Sequence, residues 1–494
     1  MSQNAAVNSN SFLSGRPVVF RNATVLTIDP SLGMIESGDV LVVDNRIAAV
    51  GRQLVVPESA VEIDATSGIL MPGMVDTHRH MWQTALRGFG TDWTLTNYFM
   101  FYYINWGKIF RAEDIYAGNL LAAIEAIESG VTTTVDWSHG LQTVEYADAA
   151  VDALEAVPGR FVLAYGNLLG APWEWTKAPE FGDFIRRRID GRGDMLRMQL
   201  AFDVTGDPAF PEKAAFEVAR DLNLPVTTHA GVRGATNDDG IRLMHENGFM
   251  TPSNIYVHAA TLSHDSYHRI AATGGYASVS TESEQNAGQG YPPTWMLRRH
   301  NIPVSLSMDT SVWWSADLFS AMRATLSADR SREHLEAHKR DETVMISHLR
   351  AEQVVNWATL GGAQALGMDS FIGSITPGKK ADLVLIKNDQ SPVMFPLLHP
   401  YGHVVFQAGR GDVHTVMVDG KVVKYNHSLL GVDLVRAKQA VMKTVEYAQS
   451  QMGEAAWTES MHPEKAKVEY IENPYKYTER ERDKAAQEEA SQGS

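Results

Sequence analysis

The chain has no cysteine among its 494 residues. That absence excludes disulfides, iron–sulfur clusters and thiolate zinc sites. It also excludes the small zinc nucleobase deaminases, whose metal rests on cysteines. Any metal must therefore sit on histidine, aspartate or glutamate. Basic charge is in short supply: 43 Lys and Arg face 59 Asp and Glu, a formal net charge of −16. Such a balance argues against nucleic acid or an anionic membrane surface as partner. No apolar run is long enough to span a bilayer. The opening residues Met1 to Asn8 carry neither a basic n-region nor an apolar h-region, so a cytoplasmic location is expected.

What is present is the composition of an ordinary globular protein, 44% hydrophobic and 21% charged. The length suggests one large domain with an accessory piece. Short strand-like runs appear near the N-terminus (Val18–Phe20, Ala23–Ile28, Asp39–Val43) and return near the other end (Lys380–Ile386, Val413–Val418), with Asp419-Gly420 as a tight hairpin. Residues 1–68 and 373–430 are therefore expected to form one discontinuous β-sandwich domain. Between them, apolar strands alternate with helical patterns. Ile69–Met71 is taken as the first strand. Val131–Asp136, Phe161–Ala164, Leu196–Ala201, Pro225–Thr228, Ile255–Val257, Tyr276–Val279 and Val304–Ser307 come after it. This rhythm over residues 69–372 predicts a (β/α)8 TIM barrel in the α/β class. An open doubly wound sheet is disfavoured because no glycine-rich phosphate loop succeeds the first strand. Residues 431–494 read as a helical extension (Arg436 to Gln451) with a frayed tail after Tyr475.

In Gly73-Met74-Val75-Asp76-Thr77-His78-Arg79-His80, two histidines stand one residue apart at the end of an apolar run. Strand side chains alternate faces, so His78 and His80 point together and Arg79 points away. A close pair alone can be a chance surface pair. The decisive pattern is that His229, His258 and Asp309 also close apolar strands, and strand ends converge at the mouth of a barrel. Nitrogen and oxygen donors of this kind suit Zn²⁺, Fe²⁺ or Mn²⁺. A metal on such a set, with a position left for water, has the arrangement that hydrolysis needs. Asp309 could both ligate and accept the water's proton, with His258 close to the attacking oxygen.

The chain resembles the amidohydrolase superfamily, in the branch of cytosine deaminase, guanine deaminase, S-adenosylhomocysteine deaminase and the triazine hydrolases. Pro72 to His80 matches the branch's opening motif, and Gln83 with Leu86-Arg87-Gly88 matches the residues usual just after that motif. Gly130 to Asp136 fits the second strand, and Gly373 to Val384 fits the hairpin that re-enters the β-domain. The likeness runs to about residue 425. It implies a metal on His78, His80, His229 and Asp309, and a catalytic His258. No lysine ends the strand around Gln199 to Asp203, so one divalent metal is expected, Zn²⁺ first, with Fe²⁺ or Mn²⁺ as alternatives.

One departure matters. Deaminases of this branch carry a glutamate three residues after the fifth-strand histidine, where it shuttles a proton; here that place holds Val232. General acid–base help of this kind contributes about 10²–10⁴-fold. Within Ser280 to Gly288, Glu284 is the candidate replacement, against a bland reading as a solvated loop acid. Trp82, Gln83, His139 and Trp313 are the candidate substrate residues. The aromatic segment from Trp93 to Trp106 supplies walls for a flat ring, or else ordinary packing and a subunit contact. The expected function is metal-dependent hydrolysis of a non-peptide C–N bond in a small cyclic or aromatic compound, by a homo-oligomer. Ring deamination or dechlorination with a relocated proton shuttle is the alternative. A non-catalytic scaffold of the same fold is the reading from another class.

Overall fold

The computed structural model describes residues 15–232, 238–315 and 317–464. Eight parallel strands succeed one another around a nearly closed barrel. They are β1 (Met74–Arg79), β2 (Val131–Ser138), β3 (Arg160–Tyr165), β4 (Leu196–Ala201), β5 (Val226–Ala230), β6 (Ile255–His258), β7 (Tyr276–Val279) and β8 (Val304–Leu306). Period-two alternation serves two cores. Val135, Val162, Ala164, Ala201 and Val257 fill the barrel interior with Ala363 and Met368. Leu163, Leu196, Met198, Leu200 and Tyr256 join the larger core outside it. The strands are buried on both faces because each face is covered.

Between β1 and β8 the ladder is completed by a single bridge, Arg79 with Asp309. The His80 N–H donates to the Asp309 carbonyl at 2.7 Å, and the Asp309 N–H donates to the His78 carbonyl at 3.1 Å. Beneath this seam Thr77 Oγ1 lies 2.8 Å from both Ser278 Oγ and Ser305 Oγ. Hydroxyls thus tie three strands together inside the barrel.

A second, nine-stranded sheet is built from both ends of the chain. Its parts meet where Ile69–Pro72 pairs antiparallel with Leu383–Ile386. Hydrogen bonds link all nine strands into one continuous sheet. Leu383 and Leu385 face its own small core, whereas Val384 and Ile386 face the main core. The run Ile69–Met71, expected as the first barrel strand, belongs to this sheet instead. Apolar content alone could not separate it from β1, because Gly73 divides one buried run into two strands. At that break the Gly73 N–H donates to the Asp382 carbonyl at 2.8 Å. The Asp382 carboxylate in turn accepts two hydrogen bonds from the buried Arg160 of β3, at 3.1 and 3.2 Å. A paired fork of this kind fixes orientation as well as charge.

The C-terminal extension forms helices Leu434–Met452 and Glu454–Met461; the expected tail after Tyr475 lies outside the described residues. Trp457 packs against Phe89 with 4.5 Å between ring centroids, and Trp93 Nε1 donates to the Ser460 carbonyl at 2.6 Å. No helix among the described residues is long and apolar enough to cross a membrane.

A Cβ added at Gly73 would collide with the Thr132 side chain. Gly73→Ala is therefore expected to cost about 1–3 kcal/mol, read as a lower urea midpoint with an unchanged slope.

Candidate metal centre

Residues that the chain separates by more than two hundred positions meet where β1, β5, β6 and β8 end. Ligand atoms of His78, His80 and Asp309 all lie within 4.8 Å of one another, as do those of His78, His229 and His258. Asp309 Oδ1 is 3.3 Å from His78 Nε2 and 3.4 Å from His80 Nε2. The His229 ring is 5.0 Å from that of His78, and it stacks on His258 at 5.6 Å with 13° between planes. His258 and Asp309 both adopt positive φ, 68° and 63°. Such a conformation costs a non-glycine residue about 1–3 kcal/mol and survives only where the surroundings enforce it.

A surrounding layer selects tautomers. His80 Nδ1 is 2.8 Å from the Trp137 carbonyl, and a carbonyl can only accept, so the proton lies on Nδ1 and Nε2 is free. His229 Nδ1 is 2.9 Å from Asp203 Oδ1, with the same result. His258 Nδ1 is 3.3 Å from Glu284 Oε1. Ser283 Oγ donates to Asp309 Oδ2. Second-layer partners of this kind orient imidazoles towards a metal.

The charge states fit the same use. Burial, aided by the His80 and His229 imidazoles, holds His78 well below its ordinary pKa against the pull of Asp309. Burial likewise brings His80 down to about 4. Both rings are thus neutral near pH 7, with lone pairs available. Burial opposes the charge of Asp309, but the facing imidazoles outweigh it and hold the carboxyl far below the usual range. Burial also disfavours charge on His229, yet Asp203 raises its pKa overall.

His78 tests whether a cation belongs here. Its side chain is fully buried and neither ring nitrogen has a hydrogen-bond partner. An unpaired buried polar group costs about 1–3 kcal/mol, which coordination by a divalent ion would offset. Three imidazoles and one carboxylate make a donor set that suits such an ion.

A cavity opens over the cluster, lined by His80, Leu95, Tyr98, Phe99, Tyr103, His139, Asp203, His229, Val232, His258, Gln289, Asp309 and Trp313. His139 and Trp313 reach it, and Tyr98 stacks on Trp313 with 4.9 Å between centroids. Trp82 and Gln83 do not reach it, contrary to expectation. Trp82 stands behind His139 and donates to its Nδ1 at 3.3 Å. Gln83 is held between Tyr98 and Thr310, at 2.6 and 2.9 Å. Both lie in the short 3-10 helix Met81–Leu86, all of whose residues are buried.

Glu284 is neither a solvated loop acid nor a cavity residue. It sits fully buried in helix Thr281–Asn286, accepting from the Ser280 N–H at 2.8 Å and facing His258. Its Oε2 has no partner, and burial raises its pKa. Asp203 and Gln289 were not singled out from sequence. Asp203 stands just past the end of β4 as the histidines stand at the ends of theirs, and that position was the available signal.

The amidohydrolase family model matches residues 69–423. The chain belongs to the amidohydrolase family. This amidohydrolase is 28% identical over 444 residues to a 5'-deoxyadenosine deaminase of Methanosarcina mazei, covering 87% of the chain and 98% of that protein. It is 29% identical over 441 residues to a 5-methylthioadenosine/S-adenosylhomocysteine deaminase of Desulfitobacterium hafniense, covering 85% and 96%. Its fold is similar to that of a zinc-bound adenosine deaminase from Xanthomonas campestris, with TM-score 0.74, 21% identity and coverage of 88% and 98%. The zinc complex of an atrazine chlorohydrolase from Arthrobacter aurescens gives TM-score 0.73, 19% identity and coverage of 87% and 100%.

Asp203→Ala removes the acceptor that fixes His229. The expected outcome is a metal affinity about 10–100-fold weaker, measured by competition with a chromogenic chelator.

Proposed function

We propose that this amidohydrolase uses one divalent metal, Zn²⁺, on His78, His80, His229 and Asp309 to hydrolyse a non-peptide C–N bond in a small cyclic or aromatic compound. The observation that carries the reading is the convergence of free Nε2 atoms on the Asp309 carboxylate beneath an aromatic-walled cavity. When bound, such an ion would lower the pKa of a water towards about 7 and polarise the substrate. Asp309 is the proton acceptor at the site. His258, with Nδ1 turned to Glu284, presents Nε2 to the oxygen that gains charge. Glu284 is a positioning residue that acts through His258. The Tyr98 and Trp313 rings hold a flat group, since offset stacking adds about 0.5–1.5 kcal/mol per pair.

Ring deamination is the second reading, favoured by the names of the deaminase relatives. Val232 opposes it: its side chain lines the cavity at the place where the family resemblance implies a proton-carrying glutamate, and a valine carries no proton. A panel of purine nucleosides, pyrimidines, triazines, cyclic amides and N-acyl compounds separates the two, scored for ammonia and for other products. Turnover of a cyclic amide or N-acyl compound without ammonia release is the expected result. Efficient release of ammonia from a purine nucleoside would establish the second reading instead.

His80→Ala and Asp309→Ala are expected to lower kcat/KM by at least about 10³-fold, since a Lewis-acid metal supplies several kcal/mol, together with loss of bound metal by elemental analysis. Glu284→Gln should slow kcat about tenfold or more at unchanged metal content. A fully active Glu284→Gln protein would remove Glu284 from the mechanism.

A further inference from the structure

Tyr98 lines the cavity, and two chains of hydrogen bonds end on its hydroxyl oxygen. The first comes from the loop after β8. The Val312 N–H donates to Thr310 Oγ1 at 3.3 Å, and Thr310 gives its own proton to Gln83 Oε1 at 2.9 Å. That contact turns the Gln83 amide so that Nε2, which can only donate, meets the Tyr98 oxygen at 2.6 Å. The second chain comes from the short helix after β1. Trp82 Nε1 can only donate, and it does so to His139 Nδ1 at 3.3 Å. The neutral His139 ring therefore carries its proton on Nε2, which lies 3.2 Å from the Tyr98 oxygen.

Both chains thus bring a donor to one oxygen. The phenol has a single proton of its own, and neither Gln83 Nε2 nor His139 Nε2–H can accept it. Among the described residues no other hydrogen-bond partner adjoins this hydroxyl. The side that remains is the cavity. Rotation of the ring is no escape, because it is packed against Trp313 at 4.9 Å and Tyr102 at 5.0 Å between centroids. Burial holds the phenol well above its ordinary pKa, so the proton stays on the oxygen.

We propose that Tyr98 is a specificity-determining residue whose hydroxyl is a committed hydrogen-bond donor to the substrate. It selects a flat compound that presents an acceptor, a carbonyl oxygen or an unprotonated ring nitrogen, and rejects one that presents an N–H at the same place. An acceptor completes the network, whereas an N–H sets donor against donor in a buried site. Sites built to pair a buried polar group discriminate strongly against partners that leave it unpaired. The role towards a substrate rests on the function proposed above; the direction of the hydrogen bonds does not.

Two measurements on the metal-loaded full-length protein test the assignment, and neither needs turnover. The first is nitrogen NMR of histidine-labelled wild-type protein, with the His139 signals identified by their loss in His139→Gln. A protonated Nε2 and a bare Nδ1 are expected; a proton on Nδ1 overturns the proposal. The second compares the Kd of quinoline, a flat ring with one nitrogen acceptor, with that of indole, a flat ring with one N–H donor. The wild type is expected to prefer quinoline by at least about tenfold, and Tyr98→Phe to lose that preference. Equal affinities in the wild type, or a preference that survives in Tyr98→Phe because the quinoline nitrogen sits on the metal, overturn the proposal. Should Tyr98→Phe fail to fold, the wild-type tautomer and the wild-type preference decide. A substrate screen that finds no C–N hydrolysis would sink the function proposed above and leave both of these results standing.

Discussion

Asp309 joins the two ends of the barrel sheet and faces the imidazoles of β1 at the same time. Its backbone pairs with His78 and His80 across the gap between β8 and β1, and its carboxylate approaches both rings. The positive φ at Asp309 is what lets one residue do both, and hydrogen bonds on either side of it offset the conformational cost. Closing the barrel and bringing Asp309 to His78 and His80 are therefore one event. Any distortion of the seam moves donor atoms, and any cation on those donors tightens the seam. A metal held at the proposed ligands would thus link its binding to barrel stability by mass action.

Around that seam lies a layer whose members mostly stand back from the cavity and yet determine what the cavity residues do. The Trp137 carbonyl, Asp203 and Glu284 each take one nitrogen of a histidine and leave the other for the centre. Ser283 fixes the outer oxygen of Asp309. Trp82 and Gln83 steady His139 and Tyr98 in the same way. The polar atoms of Trp82 and Gln83 are used on protein neighbours, which is why both shape the site without lining it.

How much of this was legible in the chain depended on what each signal encodes. Short apolar runs between helical patterns marked seven of the barrel strands because each has two covered faces. It could not tell that Ile69–Pro72 belongs to the outer sheet, since a buried strand looks the same in either sheet and the dividing residue is a single Gly73. The positions of His78, His80, His229, His258 and Asp309 at strand ends carried the cluster, because topology converts such positions into proximity. Glu284 was legible as a residue of interest but not as the partner of His258. That role depends on a six-residue helix turning its side chain inward, and no periodicity is visible over so short a stretch. Trp82 and Gln83 come so soon after the opening motif that they read as cavity residues, whereas the short helix that holds them buries both.

The aromatic wall of the cavity has its own foundations far along the chain. Trp313 donates to the Trp93 carbonyl at 3.2 Å, Trp93 donates onward to Ser460, and Trp457 lies against Phe89. The last helix described in the chain is thus a buttress for one side of the substrate space, although it contributes no atom to it. Sequence drift in that buttress would retune the width of the cavity while the ligands stayed fixed. Substitutions in this helix would thus reach the substrate space without touching His78, His80, His229 or Asp309.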